Sequence, residues 1–148
     1  MTFTTRRQNH ASTVRTTVGH RPRTATPVRS YRDLAIWQKA VELAVECYLV
    51  TQGFPKHEIY GLSAQLQRAA VSVPANIAEG RSRRYTREFL QHLSIANGSL
   101  AELETHLEIA QRLGYLPTEH SDPLQKSCAT IGRMLGALQN SLNKKLTS

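Results

Sequence analysis

A chain of 148 residues is enough for one domain with a core of useful size, and its apolar set is rich in Leu and Ala but only 6% aromatic, which favours helices over strands. Net charge is +8, but residues 1–30 carry six Arg and no acid, leaving 13 Lys/Arg against 11 Asp/Glu in the other 118 residues, so most of the basicity belongs to the N-terminal segment and not to the fold. The two cysteines form no Cys-x-x-Cys pair, no apolar run approaches the roughly 18 residues of a membrane span, and no secretory signal opens the chain, so a cytoplasmic protein with reduced thiols is expected.

Residues 1–30 are rich in Thr and Arg, contain Pro22 and Pro27, and have no apolar period. Such a segment cannot bury enough surface to offset its ordering entropy, and a disordered tail is expected. Three roles fit its composition: an arm that neutralises phosphates, a transit peptide, or a translated leader without function. Residues 31–148 are then the folded domain.

The first helix is expected from about Asp33, an N-terminal capper, to Thr51. Two apolar stripes lie side by side on it: Leu34, Trp37, Val41, Ala44 and Tyr48, and Ile36, Ala40, Leu43, Cys47 and Val50. That is more apolar surface than one side of a monomeric bundle needs, and it predicts a subunit interface. Gly53 and Pro55 end this helix, and a second is expected from about Glu58 to Glu79, closed by Gly80. Its core line is Ile59, Leu62, Leu66, Ala69/Ala70, Val73 and Ile77, with small residues that permit close helix approach and a kink expected at Pro74. A polar line, Gln65, Arg68, Ser72, Asn76 and Glu79, runs beside it.

The third helix, about Thr86 to Leu113, has an unbroken three–four repeat from Phe89 to Ala110 and stops at Gly114. Ser121-Asp122-Pro123, with Gln125 placed for a capping box, predicts the start of the fourth. Gly132 and Gly136 lie inside it, and a close neighbour would compensate their poor helix propensity. Four helices with short links predict an all-α, up-and-down antiparallel four-helix bundle.

Chemistry is sparse. No Glu-x-x-His repeat of the ferritin type occurs, and Glu88/His92 and Glu102/His106, four apart, read as ordinary surface pairs, so no metal is expected. No Gly-x-Ser-x-Gly elbow, P-loop or Gly-rich dinucleotide turn is present, and neither catalysis nor a cofactor is expected. Two constellations remain. Arg81, Arg83, Arg84 and Arg87 crowd the turn between the second and third helices, with Tyr85 among them. Arginine forks suit phosphate and an interleaved aromatic can stack a base, while a solvated charged loop is the plainer reading. In a hairpin turning near residue 83, Arg68 falls near Ser99 and Glu102, so a partly buried Arg68–Glu102 ion pair is expected as a register device.

Tyr31-Arg-Asp-Leu-Ala-Ile-Trp-Gln-Lys-Ala40, Phe54-Pro-Lys, Tyr60-Gly-Leu, Gln65-Leu-Gln-Arg-Ala-Ala-Val-Ser-Val-Pro-Ala-Asn-Ile-Ala-Glu-Gly80, Glu88-Phe and Gly98-Ser-Leu-Ala-Glu-Leu-Glu104 occur in order. Together they resemble the four helix bundle protein family, also called 23S rRNA intervening-sequence proteins, over about Tyr31 to Leu142. The resemblance implies a bacterial, non-catalytic protein. A relative, the accessory protein of diversity-generating retroelements, is a homopentameric barrel that binds nucleic acid and a reverse transcriptase. It thus implies nucleic acid, RNA rather than DNA, as ligand, a homopentamer, and a protein partner such as a reverse transcriptase. The family's recurrent polar positions correspond to Arg68, Ser72, Asn76, Glu79 and Glu102. The family often caps the third helix with Ser or Thr where this chain has Tyr85, which predicts a start displaced by one residue. A protein–protein adaptor without nucleic-acid contact is the alternative reading.

Overall fold

A computed structural model of the chain describes residues 28–148. The expected disordered arm falls almost wholly on residues 1–27, outside the described residues. Four helices follow: α1 (Ala35–Thr51), α2 (Leu62–Ser82), α3 (Thr86–Arg112) and α4 (Thr118–Thr147), with single 3-10 turns at Tyr31–Asp33 and Lys56–Glu58. Each helix packs on its neighbours in the chain and α4 closes on α1, giving the up-and-down bundle that the periodicity predicts. The core holds fully buried Leu43, Leu66, Leu93, Leu103, Leu107 and Leu135, drawn from all four helices. No helix among the described residues is long and apolar enough to cross a membrane.

Helix starts are where the local signals mislead. Asp33 does not open α1. Its carboxylate accepts the N–H groups of Arg29 (3.0 Å) and Ser30 (3.2 Å), capping the preceding 3-10 turn, and α1 begins two residues later. Glu58 is not in α2 either; its Oε2 accepts the Leu62 N–H at 2.8 Å and so caps α2 from outside. Ile59 is consequently exposed and not in the core. α4 begins at Thr118 after Pro117, and Pro123 lies inside it. The capping box expected at Ser121-Asp122-Pro123 with Gln125 does not form: these residues lie inside α4, the buried Ser121 hydroxyl donates to Gln111 Oε1 at 2.9 Å, and Gln125 Nε2 donates to the Glu104 carbonyl at 3.2 Å. Leu116, just before α4, is buried, and the helix starts about a turn earlier than the local signal predicts.

The glycines divide by role. Gly114, φ +78°, ends α3 in the left-handed conformation expected of it. Gly80 does not close α2, which continues to Ser82. Its role is contact: a Cβ there would lie 2.6 Å from His92 Cβ and 2.8 Å from Phe89 Cδ2, so α3 crosses α2 at this point because no side chain intervenes. The close neighbour expected at Gly132 and Gly136 is absent, since a Cβ at Gly132 would only touch Leu100 Cδ2 at 3.5 Å and one at Gly136 meets nothing within 4 Å. Gly136→Ala should therefore stabilise the protein by about 0.5–1 kcal/mol, read as a higher denaturant midpoint with unchanged slope.

Cys47 and Cys128 are free and buried, and burial pushes both thiols up to about 12, with the Cys47 thiol adding to the shift at Cys128. The folded state thus keeps them protonated while unfolded thiols ionise near 9.0. Stability from this source is complete below pH 9 and is lost above it, by about 1.4 kcal/mol per pH unit for each thiol. A thiol reagent at pH 8 should label neither cysteine in the native protein and both in guanidinium. Urea midpoints between pH 8.5 and 10.5 should fall less steeply in Cys47→Ala than in the parent chain.

Candidate nucleic-acid interface

The antiparallel topology gathers four chain segments at one end of the bundle: the start of α1, the end of α2, the start of α3 and the end of α4. From residue 31 onward these segments hold seven of the 13 Lys/Arg and only three of the 11 Asp/Glu, namely Asp33, Glu79 and Glu88. The near-neutral total of the fold therefore conceals one basic end. The turn itself is short. α2 stops at Ser82, whose hydroxyl donates back to the Ala78 carbonyl at 2.9 Å, and residues 83–85 link it to α3. Tyr85 is the N-cap residue of α3, and its N–H donates to Glu88 Oε2 at 3.3 Å. Helix α3 therefore starts at Thr86 without the expected displacement: the glutamate supplies the capping contact that a tyrosine ring cannot.

Of the five residues assigned to nucleic acid from sequence, Arg81, Arg83, Arg84 and Tyr85 line one open cavity of about 370 Å³, and Arg87 is exposed outside it. The Arg84 guanidinium lies 5.6 Å from the centroid of the Tyr85 ring, and the ring is 61% exposed. Arg83 is not a free cation: its Nη2 donates to Glu79 Oε1 at 2.7 Å, one turn back on α2. Sequence reasoning missed Lys145. It comes from the last turn of α4, more than fifty residues away in the chain, and joins the arginines at the cavity wall. Leu34, Phe89, Leu138 and Leu142 supply apolar lining. The signal that could have found Lys145 is the topology itself, since an up-and-down bundle sets the end of its fourth helix beside the second turn.

The family model of 23S rRNA-intervening sequence proteins matches residues 32–137. The chain belongs to that family. Among solved structures, it is similar to a protein of unknown function from the S23 ribosomal protein family of Bacteroides thetaiotaomicron VPI-5482, at 24% identity and a TM-score of 0.65, covering 71% of this chain and 98% of that one. That likeness is one of fold. No curated protein matches the chain.

The polar positions singled out by the resemblance, Arg68, Ser72, Asn76, Glu79 and Glu102, meet different fates here. Ser72 Oγ lies 2.7 Å from Ser99 Oγ on α3, and Asn76 Nδ2 donates to the Ser72 carbonyl (2.9 Å) and hydroxyl (3.0 Å). With its amide nitrogen so engaged, Asn76 presents Oδ1 to His92 Nδ1 at 3.1 Å, so that nitrogen carries the proton. His92 Nδ1 also lies 3.9 Å from Glu79 Oε2, whose other oxygen holds Arg83. A continuous polar chain thus runs from Ser99 between the helices to the basic turn, and it sets the register of α2 on α3. The expected Arg68–Glu102 pair does not contribute. Both side chains are exposed, and no ion pair within 4.0 Å joins them among the described residues. Serine and asparagine, short enough to meet partners across a closely packed pair of helices, take that role, while the longer charged side chains remain in water.

The candidate metal pairs are not assembled either. Glu88 is engaged at the cap of α3, His92 turns to Asn76, and His106 Nδ1 is buried without a partner. Among the described residues no three His, Cys, Asp or Glu side chains converge.

Proposed function

We propose that this protein is a non-enzymatic, cytoplasmic RNA-binding protein that acts as a homo-oligomer, contacting phosphates through the basic end of its bundle. The observation that carries this reading is the gathering of Arg81, Arg84 and Lys145 at one cavity, with Arg87 beside them. Arg83, tied to Glu79, orients the turn more than it binds. Membership of a family named for 23S rRNA intervening sequences favours RNA over DNA. Oligomerisation has its own support, though not from the doubled stripe, which the bundle itself buries or half-buries except at Tyr48: Val45, Tyr48 and Leu49 form an exposed apolar patch on α1. A pentamer follows from the resemblance to the retroelement accessory protein, and a ring would multiply the modest positive charge of one subunit.

Fluorescence anisotropy with a structured RNA across a salt series tests the reading, comparing the full chain with one that begins at Ser30. Four cationic contacts per subunit predict a log–log salt slope of about −3 to −4. Binding without salt dependence, or binding that disappears with the N-terminal segment, would remove the bundle as the phosphate-reading surface. Light scattering that returns a monomer would remove the oligomer. The same exposed patch on α1 also suits a protein-assembly role, and an RNase-resistant protein complex lost on Leu49→Lys would favour that adaptor reading.

A further inference from the structure

Phosphate contact alone needs only exposed cations, yet the basic end is concave and partly apolar. Phe89 and Leu142, both nearly buried, and the half-buried Leu34 and Leu138 line the cavity, while Arg81, Arg84 and Lys145 stand at its wall. No carboxylate is among the lining residues. Tyr85 is exposed beside them, with Arg84 placed over its ring. A cavity of about 370 Å³ is at the small end of the roughly 300–1,000 Å³ typical of ligand sites, a size for one heterocycle with its sugar and not for a base pair.

From this geometry we propose that the cavity takes one unstacked nucleobase of a single-stranded or looped RNA, whose flanking phosphates lie on Arg81, Arg84 and Lys145. The inference rests on the RNA-binding reading and adds a preference to it. In a duplex the base faces are covered by stacking and the apolar lining meets nothing. An extruded base buries its face against Phe89, Leu138 and Tyr85 while the backbone remains at the rim, where the cations are. Stacking of this kind tolerates any base, because every base has a π-face, and it contributes about 1–3 kcal/mol per base, or about 5–150-fold in affinity.

The test uses the full chain and three labelled RNAs of equal charge per strand: a ten-nucleotide single strand, the same strand with its central nucleotides abasic, and a blunt duplex of the same sequence. The expected result is binding to the intact single strand about 10-fold or more tighter than to its abasic form or to the duplex. Tyr85→Ala, a surface change, should bring the intact-to-abasic ratio close to one, and Leu138→Trp, which fills the cavity, should do the same. Equal affinity for intact and abasic strands would overturn the proposal while leaving phosphate binding in place. Absence of binding to all three RNAs would instead sink the RNA-binding reading and this inference with it. Displacement of the strand by micromolar AMP would mark a free-nucleotide site and also overturn it.

Discussion

Replacing Arg81, Arg84 and Arg87 together with Gln should weaken RNA binding by about 100-fold or more at low salt and flatten the salt slope by roughly 2–3. The three guanidinium groups are the turn's cations without a carboxylate partner among the described residues, so each is available to displace a counterion from the phosphate backbone. Gln keeps the length and the hydrogen-bonding capacity but removes the charge. Arg81 is half-buried in the last turn of α2, and the other two are exposed, so the melting temperature should shift by no more than a few degrees. Arg83→Gln alone should cost less than about threefold, because its charge is already offset by Glu79 at 2.7 Å and exposed pairs of this kind contribute little. Equal losses from Arg83→Gln and from each of the others would mean that a diffuse field, not the cavity wall, reads the RNA. Retention of affinity and slope by the triple variant would place the contact elsewhere.

Gly80→Val should destabilise the protein by about 3 kcal/mol, lowering the melting temperature by roughly 10 °C. The first added carbon would already lie 2.6 Å from His92 Cβ and 2.8 Å from Phe89 Cδ2. His92 Cβ is fixed to the backbone of α3, so relief requires the two helices to separate. Separation would stretch the Asn76–His92 contact, at present 3.1 Å, and unseat Phe89 from the cavity. The same substitution is therefore expected to weaken single-strand binding more than duplex binding, through geometry alone. Gly136→Val, where a Cβ meets nothing within 4 Å, is the matched control and should leave stability within about 1 kcal/mol of the parent, since valine is no worse a helix former than glycine. Equal stability of the two variants would mean that α2 and α3 can part without loss at this point.

Much of the bundle is legible in the chain because heptad-like spacing is a local property. The stripe from Phe89 to Ala110 is buried as read, and the left-handed Gly114 ends α3 as its position predicts. The turn arginines are legible too, since they are contiguous. Errors concentrate where a local preference competes with burial. Ser121-Asp122-Pro123 is a strong capping signal, but α4 starts earlier, at Thr118, with Leu116 buried and the Ser121 hydroxyl bonded to Gln111 on α3. Gly80 reads locally as a helix stop, yet tertiary contact with Phe89 and His92 is what requires a glycine there.

The sequence by itself determined the four helices, their alternating direction, the family and the presence of a basic turn, because periodicity, punctuation and contiguous motifs are all short-range. Only the tertiary structure decided which polar groups couple α2 to α3, replacing an Arg68–Glu102 pair by Ser72, Ser99, Asn76 and His92. It alone also brought Lys145 and Leu142 to the arginines and left Arg83 engaged with Glu79. The physical reason is reach. A helical repeat states which face is buried, but the distance between two helices, and hence whether serine or arginine can bridge them, depends on the side chains of both.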